Sequence, residues 1–268
     1  MSVIDPAEKP TPGEPTTPGL IGTPVSATGT GEDAWQAWLN VSSPWPELTL
    51  DVERLIVLGA HPDDEVLGAG GIMAAAAQAG VEVVIVCMSD GRASHPGSPT
   101  MTPEQLAERR HVELDTATDL LGVARPRWCG LTDGALAEQH HTMAGLVDAV
   151  IDEEPDARTG LLSVWSHDGH PDHDAVGRSV EEVARRRGLP LWMYPIWMWH
   201  WAVPGDSTIP WDRLRAHMID PTILAIKHAA IGAFDTQVRP LSDDPADAAI
   251  LPPHVLAHLT RTREFVFA

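Results

Sequence analysis

The sequence predicts an α/β fold of the Rossmann-like, doubly wound type, in which helices cover both faces of one mostly parallel sheet. Two observations carry this prediction. Short apolar runs alternate with longer segments of helical periodicity, which is the order that βαβ units produce. Two of these apolar runs, 55–59 and 160–165, end abruptly in clusters of His and Asp. Ligands of such sheets bind beyond the carboxyl ends of the strands, so both clusters stand where a site is expected.

The chain is long enough for one sizeable domain. Its 268 residues are too few for two large domains once the N-terminal segment is set aside. Residues 1–31 are rich in Pro, Thr and Gly and carry few large apolar side chains, so we expect a flexible arm there. The predicted domain spans 32–268. It begins with a short amphipathic helix that presents Trp35, Trp38 and Leu39 to the rest of the fold.

The elements of this domain follow from periodicity and from end signals. Thr102 and Pro103 are typical of a helix start, and Gly188 of a helix end. The stretch 191–201 is interpreted as a strand with alternating tryptophans on one face, used for packing, a subunit contact or sugar stacking. Strands are expected at 54–59, 81–88, 125–130, 160–165 and 264–268, and helices at 66–79, 102–121, 144–154, 173–187 and 221–233.

Composition excludes several classes of partner. The formal charge is -20, with 18 Lys and Arg against 38 Asp and Glu, so the chain lacks the basic footprint that nucleic acids require. No run of about 18 apolar residues and no signal-peptide pattern occurs, so neither membrane insertion nor export is expected. Cys87 and Cys129 show no ligand spacing, which favours reduced thiols and a cytoplasmic location. A small molecule is the expected partner, and a homo-oligomer is left open.

The first cluster follows the apolar run 55–59. His61, Asp63, Asp64 and Glu65 would be costly at the edge of a core unless they face solvent, pair or hold a cation. His61 and Asp64 lie three residues apart and can converge on one ion, which leaves Asp63 free as a general base. Acidic residues also suit a helix N-terminus, but that reading does not explain His61.

The second cluster follows the run 160–165 and contains His170, Asp172 and His173. Two such clusters, each just past a predicted strand, favour a metal site over two unrelated polar loops. Two histidines and one carboxylate leave coordination positions open for water and substrate, as catalytic zinc sites do. Asp172 lies between the histidines, where its carboxylate can accept a hydrogen bond from an imidazole and fix its tautomer.

Residues 60–65 (Ala-His-Pro-Asp-Asp-Glu) together with 170–173 (His-Pro-Asp-His) resemble the paired signature of the PIG-L/LmbE-like family of zinc-dependent N-deacetylases. The resemblance runs from about residue 55 to the C-terminus. It implies a single zinc ion bound by His61, Asp64 and His173. It also implies hydrolysis of an N-acyl group, acetyl in the first instance, from an amino-sugar conjugate, with Asp63 as the base for a metal-bound water and His170 stabilising the oxyanion.

The resemblance extends to substrate contacts. Arg110 matches an arginine that points into the pocket of relatives, although periodicity alone allows a solvated pair with Glu113. Asp90 and Asp133 lie in polar turns at the active edge and are candidate acceptors for sugar hydroxyls.

Four further residues bear on the resemblance. Relatives often carry a Ser-Gln or similar pair after a Lys-containing helix, where Thr236 and Gln237 stand here. Some relatives have a tyrosine where Asp168 stands and an acid where Arg92 stands. The first difference makes Asp168 a second candidate for the base, and the second indicates a different substrate substituent, such as an anionic one.

Two other functions are compatible with the motifs. The same triad of ligands occurs in non-haem iron(II) oxygenases, which usually have antiparallel jelly-roll folds. An inactive sugar-binding relative would retain the fold without turnover. The presence of Asp63 and His170 beside all three candidate ligands favours the hydrolase over this last reading.

Overall fold

The computed structural model describes residues 27–268. Within them, one seven-stranded sheet has the order β3-β2-β1-β4-β5-β7-β6. The first five strands pair in parallel, and β7 pairs antiparallel with both β5 and β6. The strands are β1 (Arg54–Gly59), β2 (Glu82–Ser89), β3 (Arg127–Leu131), β4 (Thr159–Val164), β5 (Leu191–Tyr194), β6 (Leu214–Met218) and β7 (Arg263–Phe267). The predicted mostly parallel α/β fold is confirmed, and it differs from the jelly roll usual for iron(II) oxygenases.

The helices form two packed groups around this sheet. In one group α2, α3 and α7 contact each other, and in the other α4 packs on α5. They are α1 (Glu32–Val41), α2 (Asp64–Gln78), α3 (Pro103–Leu121), α4 (His140–Asp152), α5 (Pro171–Arg187), α6 (Met198–Trp201), α7 (Pro221–Ile231), α8 (Asp235–Val238) and α9 (Pro253–Leu259). None of the helices in the described part has the length and hydropathy needed to span a bilayer.

The strand order reverses between β1 and β4, which lie side by side at the centre of the sheet. The segment that follows β1 leads to β2 on one side of this central pair. The segment that follows β4 leads to β5 on the other side. Such a switch point opens a crevice at the carboxyl ends of the two strands. All six residues of β1 and of β4 are buried. The two polar clusters therefore emerge next to each other from the most buried part of the core.

Helix α2 changes direction at Ala69, whose φ of -142° and ψ of 15° are not helical. The backbone N–H groups released by this kink would be unpaired in the interior. Glu264 accepts both, from Gly71 and from Ile72, each at 2.7 Å. Lys227 donates to Glu264 at 2.7 Å and to the Leu67 carbonyl at 2.9 Å, so it neutralises the carboxylate and satisfies a carbonyl. This buried pair holds the first turn of α2, which carries the site, at a fixed angle.

The N-terminal helix packs onto the domain as predicted. Trp35 is fully buried and donates from Nε1 to the Trp199 carbonyl at 2.7 Å. Thr30, near the end of the predicted arm, is bonded to the carbonyls of His200 and Ala202. The rest of the arm, residues 1–26, lies outside the described residues.

The prediction of one strand over 191–201 is wrong. The strand ends at Tyr194, and the chain turns into α6, so Trp197, Trp199 and Trp201 do not share a sheet face. The turn is stabilised by Asp168, whose carboxylate accepts the backbone N–H groups of residues 196, 197 and 198 at 2.9 to 3.0 Å. Such a distant capping interaction cannot be recognised in a pattern of alternating aromatic residues. Strand β6 and helix α9 were also not expected from the sequence.

Candidate metal and active site

The turn after β1 fixes the first cluster. Asp64 begins α2, and its Oδ2 accepts hydrogen bonds from the backbone N–H groups of Ala60 and His61 at 3.0 and 2.9 Å. Its other oxygen, Oδ1, lies 3.3 Å from Nε2 of His173. The carboxylate is 3 % exposed, so burial and backbone bonds together hold one oxygen towards the second cluster.

The turn after β4 fixes the second cluster. Gly169 adopts a φ of +91°, a conformation that favours glycine, and a Cβ there would come within 2.7 Å of Trp201. His170 caps α5, because its Nδ1 accepts from the backbone N–H of Asp172 at 3.2 Å. This start places His173 in the first turn of α5. The two histidines of the second motif thus face the end of β1.

Each candidate metal-binding imidazole is held by carboxylates on one side. His173 contacts Asp168 through Nδ1 at 2.8 Å, and its buried Nε2 has no hydrogen-bond partner among residues 27–268. His61 contacts Asp133 and Asp172 through Nε2, each at 3.2 Å, which leaves Nδ1 at 3.6 Å from Asp64. In both rings the carboxylate fixes the tautomer and leaves the other nitrogen for a ligand role.

This arrangement fits a metal cation. The unpaired Nε2 of His173 and the Nδ1 of His61 approach the same Asp64 carboxylate, and His61, His170 and His173 offer nitrogens within 4.8 Å of one another. Although burial opposes it, Asp64 and Asp168 raise the pKa of His173 to about 10. Asp133 and Asp172 likewise raise the pKa of His61 against burial. The site therefore favours positive charge between its imidazoles, which a divalent ion supplies.

Asp63 is the remaining carboxylate of the first motif, and it is paired with Arg110. The Nη2 of Arg110 lies 3.1 Å from Oδ2 of Asp63, and both side chains are buried. Burial raises the pKa of Asp63 to about 6, and the guanidinium opposes that rise. Nη1 of Arg110 donates to the Gly91 carbonyl at 2.9 Å. Arg110 therefore lines the pocket, as the resemblance implied, but its charge is directed at Asp63.

The alternative of a solvated Arg110–Glu113 pair is wrong. Glu113 is 3 % exposed and accepts from the backbone N–H and the hydroxyl of Thr236 at 2.9 and 2.7 Å. Its cationic neighbour is Arg109, at 3.5 Å, whose side chain is 54 % exposed. Because a helix turns about 100° per residue, 109 and 110 point in different directions, and the sequence alone does not say which one faces the core.

His170 presents its Nε2 to the pocket in a defined state. Nδ1 accepts the Asp172 backbone N–H, so in the neutral ring the proton is on Nε2. Burial, together with the charges of His173 and His61, lowers the pKa of His170 well below its ordinary value. The ring is consequently a neutral hydrogen-bond donor, as the stabilisation of an oxyanion requires.

The pocket over this site is open to solvent, and the empty space within it and its open mouth together is about 670 Å³. Its lining includes the three predicted ligands, His61, Asp64 and His173. Asp63, His170, Arg110 and Asp133 also line it. The remaining lining residues are apolar except for the hydroxyl of Ser94 and the amide of Gln237; they are Leu67, Ala93, Ser94, Ile196, Trp197, Gln237, Ile250 and Leu251. Of these, sequence reasoning had singled out only Trp197 and Gln237. Ile250 and Leu251 follow a loop with no motif, so no local signal identified them.

The other predicted contacts have different positions. Asp133 borders the pocket and accepts from the Ala93 backbone N–H at 2.7 Å. Asp90 does not border the pocket. Both of its carboxylate oxygens are bonded to Arg92, at 2.6 to 3.1 Å. Asp172 lies behind His61, where it also accepts the backbone N–H groups of Gly134 and Leu136 at 2.8 and 3.0 Å. Its predicted bond to an imidazole is present, and the imidazole is His61.

Fold and site together define an α/β protein with a candidate metal-dependent active site at the switch point of its sheet. Residues 56–184 match the family described as PIG-L, GlcNAc-PI de-N-acetylase. This segment of the chain is therefore similar to a PIG-L family domain. The match covers β1 through α5, so it includes both polar clusters.

Individual relatives agree with this assignment. The 1D-myo-inositol 2-acetamido-2-deoxy-alpha-D-glucopyranoside deacetylase of Nakamurella multipartita is 30% identical over 213 residues, which are 76% of this chain and 66% of that protein. A probable N-acetyl-alpha-D-glucosaminyl L-malate deacetylase 2 of Bacillus cereus is 29% identical over 137 residues, 50% of this chain and 61% of that protein. Two other curated relatives are covered over 23% and 52% of their length.

Among solved structures, the A40926 pseudoaglycone deacetylase Dbv21 superposes with a TM-score of 0.57 at 25% identity. The alignment covers 74% of this chain and 88% of that one. The similarity to Dbv21 thus extends over most of the fold described here.

Proposed function

We propose that this protein is a metal-dependent hydrolase that removes an N-acyl group, acetyl in the first instance, from a small molecule containing an amino sugar. One observation carries the proposal: the unpaired, buried Nε2 of His173 faces Asp64 beside a separate carboxylate, Asp63. Metal-dependent amide hydrolysis needs both a cation site and a proton acceptor next to it. The names of the relatives, which are deacetylases of N-acetylglucosamine compounds, support the substrate class.

His61, Asp64 and His173 would hold one zinc ion. When bound, the ion supplies a Lewis acid that polarises the amide carbonyl and acidifies a water molecule. The set of two imidazoles and one carboxylate suits zinc and leaves positions open for reactants. Asp168 and the pair Asp133 and Asp172 orient the two imidazoles from behind.

The chain's own residues move the protons. Asp63 is the general base, because it borders the pocket and is not needed to orient a ligand. Arg110 opposes the effect of burial, so a useful fraction of Asp63 is ionised near neutral pH. His170 donates from Nε2 to the developing oxyanion. The proton that Asp63 takes from water is then available to the leaving amine, so the C–N bond breaks to give a carboxylate and an amine.

The apolar walls place the substrate. The apolar residues that line the pocket include Leu67, Ile196, Trp197, Ile250 and Leu251. Such surfaces exclude water from the reacting amide and accept an acyl methyl or the face of a sugar ring. A cytoplasmic location, expected from the unpaired Cys87 and Cys129, remains a prediction.

A combined assay of products and metal tests the proposal. The protein, purified without added metal, would be analysed for zinc and incubated with a panel of N-acetylglucosamine conjugates. We expect acetate and free amine in equal amounts, loss of activity on chelation, and recovery with zinc. Oxygen uptake without acetate release would support the iron(II) oxygenase instead. Binding of conjugates without turnover in the zinc-loaded protein would support an inactive sugar-binding protein.

A further inference from the structure

A second groove adjoins the metal pocket and shares two residues with it, Ala93 and Asp133. We call it the outer groove. Its volume is about 1030 Å³ and it opens to solvent. Its other lining residues are Arg92, His95, Pro96, Gly97, Ser98, Pro99, Thr100, Met101, Thr102, Pro103 and Gln105. A substrate whose amide lies at the metal ligands has room here for its second moiety.

Few positively charged side chains line the metal pocket and the outer groove. Among the described residues that line the pocket or the outer groove, the Lys and Arg side chains are Arg110 and Arg92. Arg110 is buried, pairs with Asp63 at 3.1 Å and donates to the Gly91 carbonyl. Its charge is therefore neutralised inside the protein by Asp63, and Arg110 does not line the outer groove.

Arg92 is also committed to carboxylates. Its Nε donates to both oxygens of Asp90, at 3.1 and 2.9 Å, and its Nη2 donates to Oδ2 at 2.6 Å. Its Nη1 lies 3.6 Å from Glu104. Asp90 thereby competes with a substrate carboxylate or phosphate for the Nε and Nη2 donors of Arg92. An anion that used Nη1 instead would lie close to Glu104.

The histidine of the outer groove adds no charge. His95 lies between Ser94 Oγ, 3.0 Å from Nδ1, and the Ala248 carbonyl, 3.2 Å from Nε2. Burial lowers its pKa. The remaining side chains of the outer groove are prolines, hydroxyls, a methionine and an amide, which suit an uncharged polyol or ring.

We propose that the substrate is a glycoside whose second moiety is uncharged and lies in the outer groove, and that anionic second moieties are rejected. This inference rests on the proposed function and narrows its substrate class. It replaces the expectation that Arg92 indicates an anionic substituent. The cause is the pairing of Arg92 with both Asp90 and Glu104, because two carboxylates face one guanidinium and leave net negative charge beside the outer groove.

Two glycosides of the same N-acetylated sugar test this directly, one with inositol and one with L-malate as the second moiety. They differ in the two carboxylates of malate and also in the size and shape of the second moiety, so the dependence of their ratio on salt isolates the effect of charge. We expect kcat/KM for the inositol compound to exceed that for the malate compound by at least about tenfold at low salt. The ratio should narrow as ionic strength rises, because salt screens the repulsion. An equal or higher value for the malate compound would overturn the inference.

A double variant, Asp90→Asn with Glu104→Gln, releases Arg92 without changing a residue of the metal pocket. We expect the malate-to-inositol ratio of kcat/KM to rise by about fivefold or more, since a free guanidinium then faces the outer groove. Asp115→Asn with Asp119→Asn is the matched control, because it removes two carboxylates and frees Arg125 from similar contacts towards the far end of α3. A ratio unchanged in the double variant, or raised equally by the control, would contradict the role given to Arg92.

Binding of the inositol and malate compounds to Asp63→Asn, measured by calorimetry, tests the inference even if the wild-type protein hydrolyses neither compound. Tighter binding of the inositol compound supports it even when neither compound is hydrolysed by the wild-type protein, and that result would contradict only the proposed function. Binding of neither compound would contradict both. Hydrolysis of both compounds with a preference for malate would leave the proposed function intact and overturn only the inference.

Discussion

Asp168 and His173 form a fully buried hydrogen bond of 2.8 Å between a carboxylate and a proposed metal ligand. The same carboxylate accepts three consecutive backbone N–H groups, from Ile196, Trp197 and Met198. One side chain therefore orients the ligand and fixes a wall of the pocket. With four donors already bound, Asp168 is a poor candidate for the general base, although the sequence had left that role open.

We predict that Asp168→Asn weakens zinc binding by about 10- to 100-fold, the usual effect of losing such a supporting carboxylate. An amide would present a donor to groups that already donate. Zinc affinity would be measured by competition with a chelator, beside the temperature of unfolding. Asp148→Asn, on the surface of α4, is the control. Unchanged zinc affinity in Asp168→Asn would show that the hydrogen bond does not support a ligand.

The contact between Arg110 and Asp63 changes the expected effect of an arginine substitution. The sequence suggested a specificity role, but the guanidinium lies 3.1 Å from the proposed base. We predict that Arg110→Ala lowers kcat by a similar factor for good and poor substrates, because the base loses its counter-charge. Arg109→Ala, in the neighbouring exposed residue, should have little effect on kcat. A loss confined to the preferred substrate would restore the specificity role.

Glu32 ties α1 to the end of the chain, and its ionisation should stabilise the fold. It accepts from His258 at 2.6 Å and from Arg261 at 2.6 and 2.7 Å. Burial would raise the pKa of Glu32, but the bonds from Arg261 and His258 outweigh it and lower the pKa from 4.5 to about 2. Because the pKa of Glu32 is lower in the folded protein, ionised Glu32 stabilises the fold at pH values above its unfolded pKa of 4.5. This stabilisation is lost as the pH falls towards 2.

We therefore predict that Glu32→Gln lowers the free energy of unfolding by about 2 kcal/mol at pH 7 and by less as the pH falls below 4. Urea unfolding at several pH values would measure this. Asp33→Asn changes the adjacent exposed acid and controls for loss of charge at the helix start. An equal effect of Glu32→Gln at pH 7 and pH 3 would contradict the assigned ionisation.

The sequence predicted the parts of the fold that rest on local pattern. The apolar runs of β1 and β4, the helix start at Thr102 and the polar turns after the strands all carry their information within a few residues. The adjacency of the two motifs followed from one general rule about parallel sheets, and the strand order confirms it.

Contacts between distant segments could not be predicted in the same way. The bend that ends the tryptophan stretch depends on Asp168, which lies 28 residues before Ile196. The direction of Arg110 depends on packing, since the adjacent Arg109 faces solvent. Ile250 and Leu251 reach the pocket from a loop that contains Asp247. The Asp247 carboxylate accepts hydrogen bonds from the hydroxyls of Ser98 and Thr100, which are distant in sequence, and of the nearby Ser242.

Zinc content and turnover of Asp63→Asn, measured on one preparation, test the central claim most directly. The substitution keeps the shape of the side chain and removes its proton-accepting charge. We predict that zinc stays bound, because Asp64 is the ligand, and that acetate release falls by about 10²- to 10⁴-fold, the usual contribution of a general base. His173→Ala, by contrast, should lose zinc. Loss of zinc from Asp63→Asn, or wild-type turnover with zinc retained, would contradict the assignment of Asp63 as the base.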